Sequence, residues 1–146
     1  MFTKPTVLVT IQFTCIGYLI FSKPSSVISM HIVLLLLMGS ALVLAFSAFK
    51  QMKLKNFSVS PIPVSQAELI TTGPYAIIRH PMYTAVLMYC TAMVIEHATW
   101  ERGIIYLILV INLAVKIQLE EKLLNAQFVD YATYQKRTYK LIPYIY

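Results

Sequence analysis

Four apolar runs, broken by short segments that carry most of the charge, constrain this chain more than any other feature. They cover Thr6–Phe21, Val27–Phe49, Tyr83 to about Ile95, and about Gly103 to Leu119. A helix that crosses a bilayer needs about 20 residues, with a usable range of roughly 17–25. The second run meets that length. The others are shorter and must recruit flanking residues such as Pro81, Trp100 and Arg102 at the membrane surface.

Composition points the same way. The 146 residues are 58% apolar and only 12% charged, with a mean hydropathy of +0.69. Soluble domains are roughly 45–50% apolar and about 25% charged, so the length and balance predict one all-α domain in a membrane. The expected architecture is an integral bundle of about four transmembrane helices, over about 6–22, 27–49, 82–98 and 103–120. A loop over about 50–81 and a helical tail over about 121–146 complete it. The first run also has the look of a signal peptide led by Lys4, but Phe21-Ser22-Lys23-Pro24 offers no small-residue cleavage site.

Net charge is +6, from 12 basic and 6 acidic residues. The basic residues lie between apolar runs, which is how headgroup contacts and topology signals are placed, and no basic stripe of a nucleic-acid-binding domain is present. Lys50, Lys53, Lys55 and Arg79 fall between runs two and three, and Lys122, Lys136, Arg137 and Lys140 follow run four. The opposite side has only Lys23 and Arg102. This asymmetry puts the loop, the tail and both termini in the cytoplasm. The small size favours a prokaryotic plasma membrane. Cys15 and Cys90 sit inside apolar runs and read as packing residues, and no set of His, Cys, Asp and Glu has metal-ligand spacing.

The loop is not filler, since a connection this long is more often functional than not. It contains Pro61, Pro63 and the turn pair Gly73-Pro74, and it ends in Arg79-His80-Pro81 directly before run three. Pro81 suits the first turn of a helix, where its missing N–H costs nothing. An arginine and a histidine beside a helix N-terminus suit an anionic ligand. Beyond run four, Phe128–Tyr134 alternates aromatic and polar residues and reads as an amphipathic helix at the cytoplasmic surface. His31 and His97, each isolated near a run's end, read as interfacial residues.

Asn112, Lys116 and Glu120 are spaced i, i+4, i+8 and share one face of helix four. Polar groups in a span are expensive and usually face a cavity, although a lysine–glutamate pair that ends the span at the interface has the same spacing.

Leu69-Ile70-x-x-Gly73-Pro74-Tyr75, Arg79-His80-Pro81-x-Tyr83, Glu120-Glu121 and Tyr131-x-x-Tyr134 together resemble the isoprenylcysteine carboxyl methyltransferase family, which is related to the phospholipid methyltransferases. The resemblance runs from about Pro61 to Pro143. It implies a membrane enzyme that uses S-adenosylmethionine without a Rossmann domain. It also implies cofactor contacts at Tyr75, His80, Pro81, Met82, Tyr83 and Glu120, with Leu69, Ile70 and Glu121 as weaker candidates. Lys116 stands where the family usually has arginine and is the implied substrate-positioning residue, as a point charge in place of a bidentate fork. Ala85 replaces a frequent glycine. The implied acceptor is lipophilic: an isoprenylcysteine-like carboxylate, a phospholipid amine or a thiol. The ending Tyr139-x-Leu141-Ile142-Pro143-Tyr144 also resembles membrane sterol reductases, which use a nicotinamide cofactor. A non-enzymatic membrane scaffold is the remaining alternative.

Overall fold

A computed structural model describes residues 5–22, 32–52 and 68–145. His31, Lys4, Lys23, Lys53, Lys55, Pro61, Pro63 and the start of the second expected helix lie outside the described residues. Five α-helices are present among those described: α1 (Pro5–Phe21), α2 (Ile32–Gln51), α3 (Pro81–Glu96), α4 (Trp100–Gln127) and α5 (Tyr131–Lys136). A 3-10 turn, Gly73–Ala76, precedes α3. The apolar runs therefore became helices close to where hydropathy placed them.

Two of these helices, α2 and α4, are long and apolar enough to cross a membrane. Apolar side chains on α2 remain largely exposed, among them Ile32, Val33, Leu36, Val43 and Phe46. Exposed faces of that size suit surroundings of lipid better than water. α4 has 28 residues and is about 42 Å long at 1.5 Å per residue, longer than the hydrocarbon core. Its last two turns are thus free to project beyond the apolar layer.

α1 packs mainly on α4, and α2 mainly on α3. Between them, Cys15, Leu19, Cys90, Leu109 and Leu113 form the buried core. Both cysteines are free and buried, as their apolar settings imply.

Arg102 departs from the interfacial role expected of it. It is 2% exposed, and its guanidinium donates to Ser22 O at 2.6 Å, Ser22 Oγ at 2.9 Å, Leu19 O at 2.9 Å and Met93 O at 3.0 Å. Carbonyls in the last turn of a helix have no intrahelical partner and carry the negative end of its dipole. One cation therefore caps the C-terminal ends of α1 and α3 together. His97, at the end of α3, is likewise buried instead of interfacial.

The C-terminal segment is tied back onto the turn before α3. Arg79 N donates to Tyr139 O at 2.7 Å, His80 N to Lys140 O at 3.1 Å, and Tyr139 N to Ile77 O at 2.9 Å. Thr84 Oγ1 adds a bond to Leu141 O at 2.8 Å. Beyond α4, which runs to Gln127, the tail is helical only over the six residues of α5. The rest is held by these backbone bonds, which no helical period announces.

Candidate functional site

Gly73 starts the site's framework. Its φ of +60° is the left-handed conformation that glycine adopts without a Cβ clash. A Cβ here would also meet the Gln51 side chain at 2.8 Å. The turn that follows buries Tyr75 and leads into His80, the residue just before α3. Pro81 occupies the first helical position, as its fixed φ and missing donor favour.

This geometry brings the turn, the start of α3 and the last two turns of α4 together. Tyr83, on the first turn of α3, donates from its hydroxyl to Glu120 Oε1 at 2.5 Å. Its ring stacks on His80, with centroids 5.6 Å apart and planes 11° from parallel. His80 Nδ1 lies 3.5 Å from Glu120 Oε2, and Nε2 lies 3.5 Å from Glu121 Oε1. The second approach is within ion-pair range but lacks hydrogen-bond geometry, so Nε2 is buried without a hydrogen-bond partner. Arg79 Nε donates to Glu121 Oε1 at 2.7 Å. Two adjacent carboxylates thus face an arginine and an imidazole, in a setting where charges are costly unless paired.

Arg79 also reaches the tail. Its Nη1 donates to Gln135 O at 3.1 Å, to Thr138 Oγ1 at 3.2 Å and to Thr138 O. Thus it joins α4 to α5 and is no loose anion receptor, which corrects the simplest reading of an arginine before a helix. Tyr134 closes the far side by donating to Tyr75 O at 2.6 Å. The Tyr75 hydroxyl has no partner among the described residues, and neither has that of Tyr131. Burial first, then the Tyr134 and Glu120 groups, push the Tyr75 phenol up to about 12. Tyr134 is likewise pushed up to about 12, chiefly by burial.

Lys116 sits one turn before Glu120, 2% exposed. Its ammonium donates to Gln12 Oε1 at 2.8 Å and lies 5.2 Å from the Tyr83 ring centroid. Asn112, one turn further back, donates to Leu8 O at 3.0 Å. The shared face of Asn112, Lys116 and Glu120 therefore turns inward, toward α1 and the site. That choice between cavity and interface was open in the spacing alone.

A sequence profile of the phospholipid methyltransferase family matches residues 28–130, well over half the chain. The chain belongs to the phospholipid methyltransferase family. A search of curated proteins gives no match. Within this phospholipid methyltransferase-family chain, the matched span takes in the 3-10 turn, α3, Lys116, Glu120 and Glu121. It stops short of Tyr131, Tyr134 and Thr138, and it does not reach Gln12. The match accords with the resemblance carried by the motifs and does not favour the reductase alternative.

Of the residues singled out from the sequence, Tyr75, His80, Pro81, Tyr83, Glu120 and Glu121 come together around one centre. Met82 is half-buried on the same first turn of α3, and Leu69 and Ile70 are half-buried in the irregular segment leading to the 3-10 turn. Gln12, Gln135 and Thr138 were missed. Gln12 had a signal, being the one amide within the first apolar run. Gln135 and Thr138 had none, because each contributes through the backbone or a small hydroxyl. Among the described residues, no group of His, Cys, Asp and Glu is arranged to hold a metal ion.

Proposed function

We propose that this chain is an S-adenosylmethionine-dependent methyltransferase that works within a membrane on a lipophilic acceptor. The observation that carries the reading is the meeting of His80, Tyr83, Glu120 and Glu121 in one buried centre. That centre lies in a chain of the phospholipid methyltransferase family.

The residues present fit such a cofactor. Glu120 and Glu121 are acceptors suited to its ribose hydroxyls and ammonium. His80 Nε2 and the Tyr75 hydroxyl are buried polar atoms without a hydrogen-bond partner among the described residues, and both suit a polar ligand. The rings of Tyr75 and Tyr83 are aromatic surfaces of the kind that stabilise a sulfonium. When bound, the cofactor supplies a methyl group on a positively charged sulfur. The protein's task is then alignment and exclusion of water.

For the acceptor, Lys116 offers a cation held by Gln12 beneath Tyr83. A lysine pairs with an anionic head as a point charge and sets no fork geometry. An apolar groove of about 520 Å³ runs beside the same turn, lined by Val43, Leu44, Ser47, Ile77, Ile78 and Pro143. Groove and turn together suit a molecule with a polar head and a hydrocarbon chain. A phospholipid amine fits that description best, and an isoprenylcysteine carboxylate or lipid thiol shares the chemistry. α1 to α4 would be the four spans, with α5 and the tail at the basic, cytoplasmic face.

Isothermal titration of the purified protein with S-adenosylhomocysteine and, separately, with NADPH tests the reading. S-adenosylhomocysteine should bind, NADPH should not, and His80→Ala with Glu120→Ala should abolish binding. A wild-type protein that ignores S-adenosylhomocysteine overturns the proposal. Transfer of a labelled methyl group to phosphatidylethanolamine vesicles, against a prenylcysteine analogue, identifies the acceptor.

A further inference from the structure

Tyr131 lies beyond the family match and at the start of the short α5. It is 1% exposed, and its hydroxyl has no hydrogen-bond partner among the described residues. A buried hydroxyl left unpaired is a cost that folded proteins rarely carry without a reason. Its neighbours make the position more telling. Arg79, itself bound to Glu121, holds α5 through Gln135 O and Thr138. The Tyr131 ring lies 5.8 Å from that of Tyr134, whose hydroxyl is bonded to Tyr75 O. Two buried tyrosines with unpartnered hydroxyls, Tyr75 and Tyr131, thus flank one whose hydroxyl is satisfied.

Three other buried atoms without partners, Asn112 Oδ1, Glu96 Oε1 and Arg102 Nε, belong to side chains of α3 and α4 outside this cluster. Tyr75, Tyr131 and His80 Nε2 are grouped instead about the two glutamates. Burial and the Glu121 charge both raise the Tyr131 phenol, which stays a neutral donor and acceptor.

We propose that Tyr131 is a further ligand-binding residue of the site, its hydroxyl bonding the polar part of the bound nucleoside cofactor. This rests on the methyltransferase reading above. It makes α5 part of the binding surface as well as a cover held over it.

The test compares wild type with Tyr131→Phe, in detergent, by titration with S-adenosylhomocysteine and by thermal unfolding without ligand. Removing an unsatisfied hydroxyl leaves the packing and takes away a desolvation cost, so the unliganded variant should unfold at or above the wild-type temperature. Its affinity for S-adenosylhomocysteine should fall by about three- to tenfold, the worth of one ordinary hydrogen bond. The two effects have opposite signs, which a purely structural tyrosine cannot produce. Tyr134→Phe, which loses the 2.6 Å bond to Tyr75 O, calibrates the thermal cost of a satisfied hydroxyl in the same helix. Unchanged affinity in Tyr131→Phe overturns the proposal and assigns the hydroxyl to trapped water. A marked drop in its unfolding temperature also overturns it, by revealing a protein partner. If wild type binds no S-adenosylhomocysteine, the methyltransferase reading fails and this inference falls with it.

Discussion

Replacing Arg79 with methionine should loosen the C-terminal segment without unfolding the bundle. The guanidinium makes one bond to Glu121 and three to Gln135 and Thr138. Methionine keeps the apolar stem and removes all four. Glu121 then remains as a buried carboxylate with only the His80 approach at 3.5 Å. Breaking a buried pair by removing one partner costs about 3–5 kcal/mol. The two side chains are 7% and 11% exposed, and three backbone bonds between the turn and the tail survive. The lower end therefore applies, about 3 kcal/mol, or roughly a hundredfold in the opening equilibrium. Hydrogen exchange followed by mass spectrometry reads that equilibrium at the amides of Arg79, His80 and Tyr139, each bonded across the junction. Exchange there should accelerate by about two powers of ten, while core amides around Leu19 and Leu109 keep their protection. Adding Glu121→Gln to Arg79→Met should restore part of the protection, because it neutralises the stranded carboxylate. Exchange within threefold of wild type in Arg79→Met would refute the view that this arginine holds the tail.

Arg102→Met should lower the unfolding temperature markedly, since it strips the cap from two helix ends and takes the guanidinium from Leu19 O and Ser22 O, while Met93 O keeps only the 3.4 Å bond from His97 N. At about 1–3 kcal/mol for each such group, a loss of about 3 kcal/mol or more is expected, with Arg102→Lys intermediate. A melt matching wild type would show that other groups satisfy those carbonyls. Alkaline pH should destabilise the fold through Tyr75 and Tyr134, whose phenols are pushed up to about 12 from an ordinary value of 10. Above pH 10 the unfolded chain releases these protons and the folded one retains them, so stability is full below that point and falls toward pH 12. Tyr75→Phe should flatten the decline in a pH series of thermal melts, and a slope identical to wild type would count against a buried Tyr75.

Much of this was legible in the residues, and what was not has a common cause. Hydropathy located α1 to α4 because burial in lipid or core acts on composition within one segment. The Gly73-Pro74-Tyr75 and Arg79-His80-Pro81 stretches and the Glu120-Glu121 pair marked the centre, because turn geometry and local charge are short-range properties. The partner of each polar group was not readable. Lys116 finds Gln12 across 104 positions of sequence, and Arg102 finds Ser22 across 80. Periodicity says which side of a helix is special but not which neighbour it meets. α4 runs past its apolar run to Gln127, in keeping with a helical tail from about residue 121, but its docking on α5 is not something a hydropathy window registers.

The pairing of α1 with α4 also bears on how the chain is made. α1 leaves the ribosome before α4, the helix it chiefly packs on, so Gln12 and Leu8 O meet Lys116 and Asn112 only after α2 and α3 have been made. Arg102 likewise cannot cap α1 until α4 has begun. Assembly of the centre thus waits for α4, which carries Lys116, Glu120 and Glu121. A chain halted before α4 would leave the Gln12 amide, in an otherwise apolar helix, without the Lys116 ammonium that it meets in the fold.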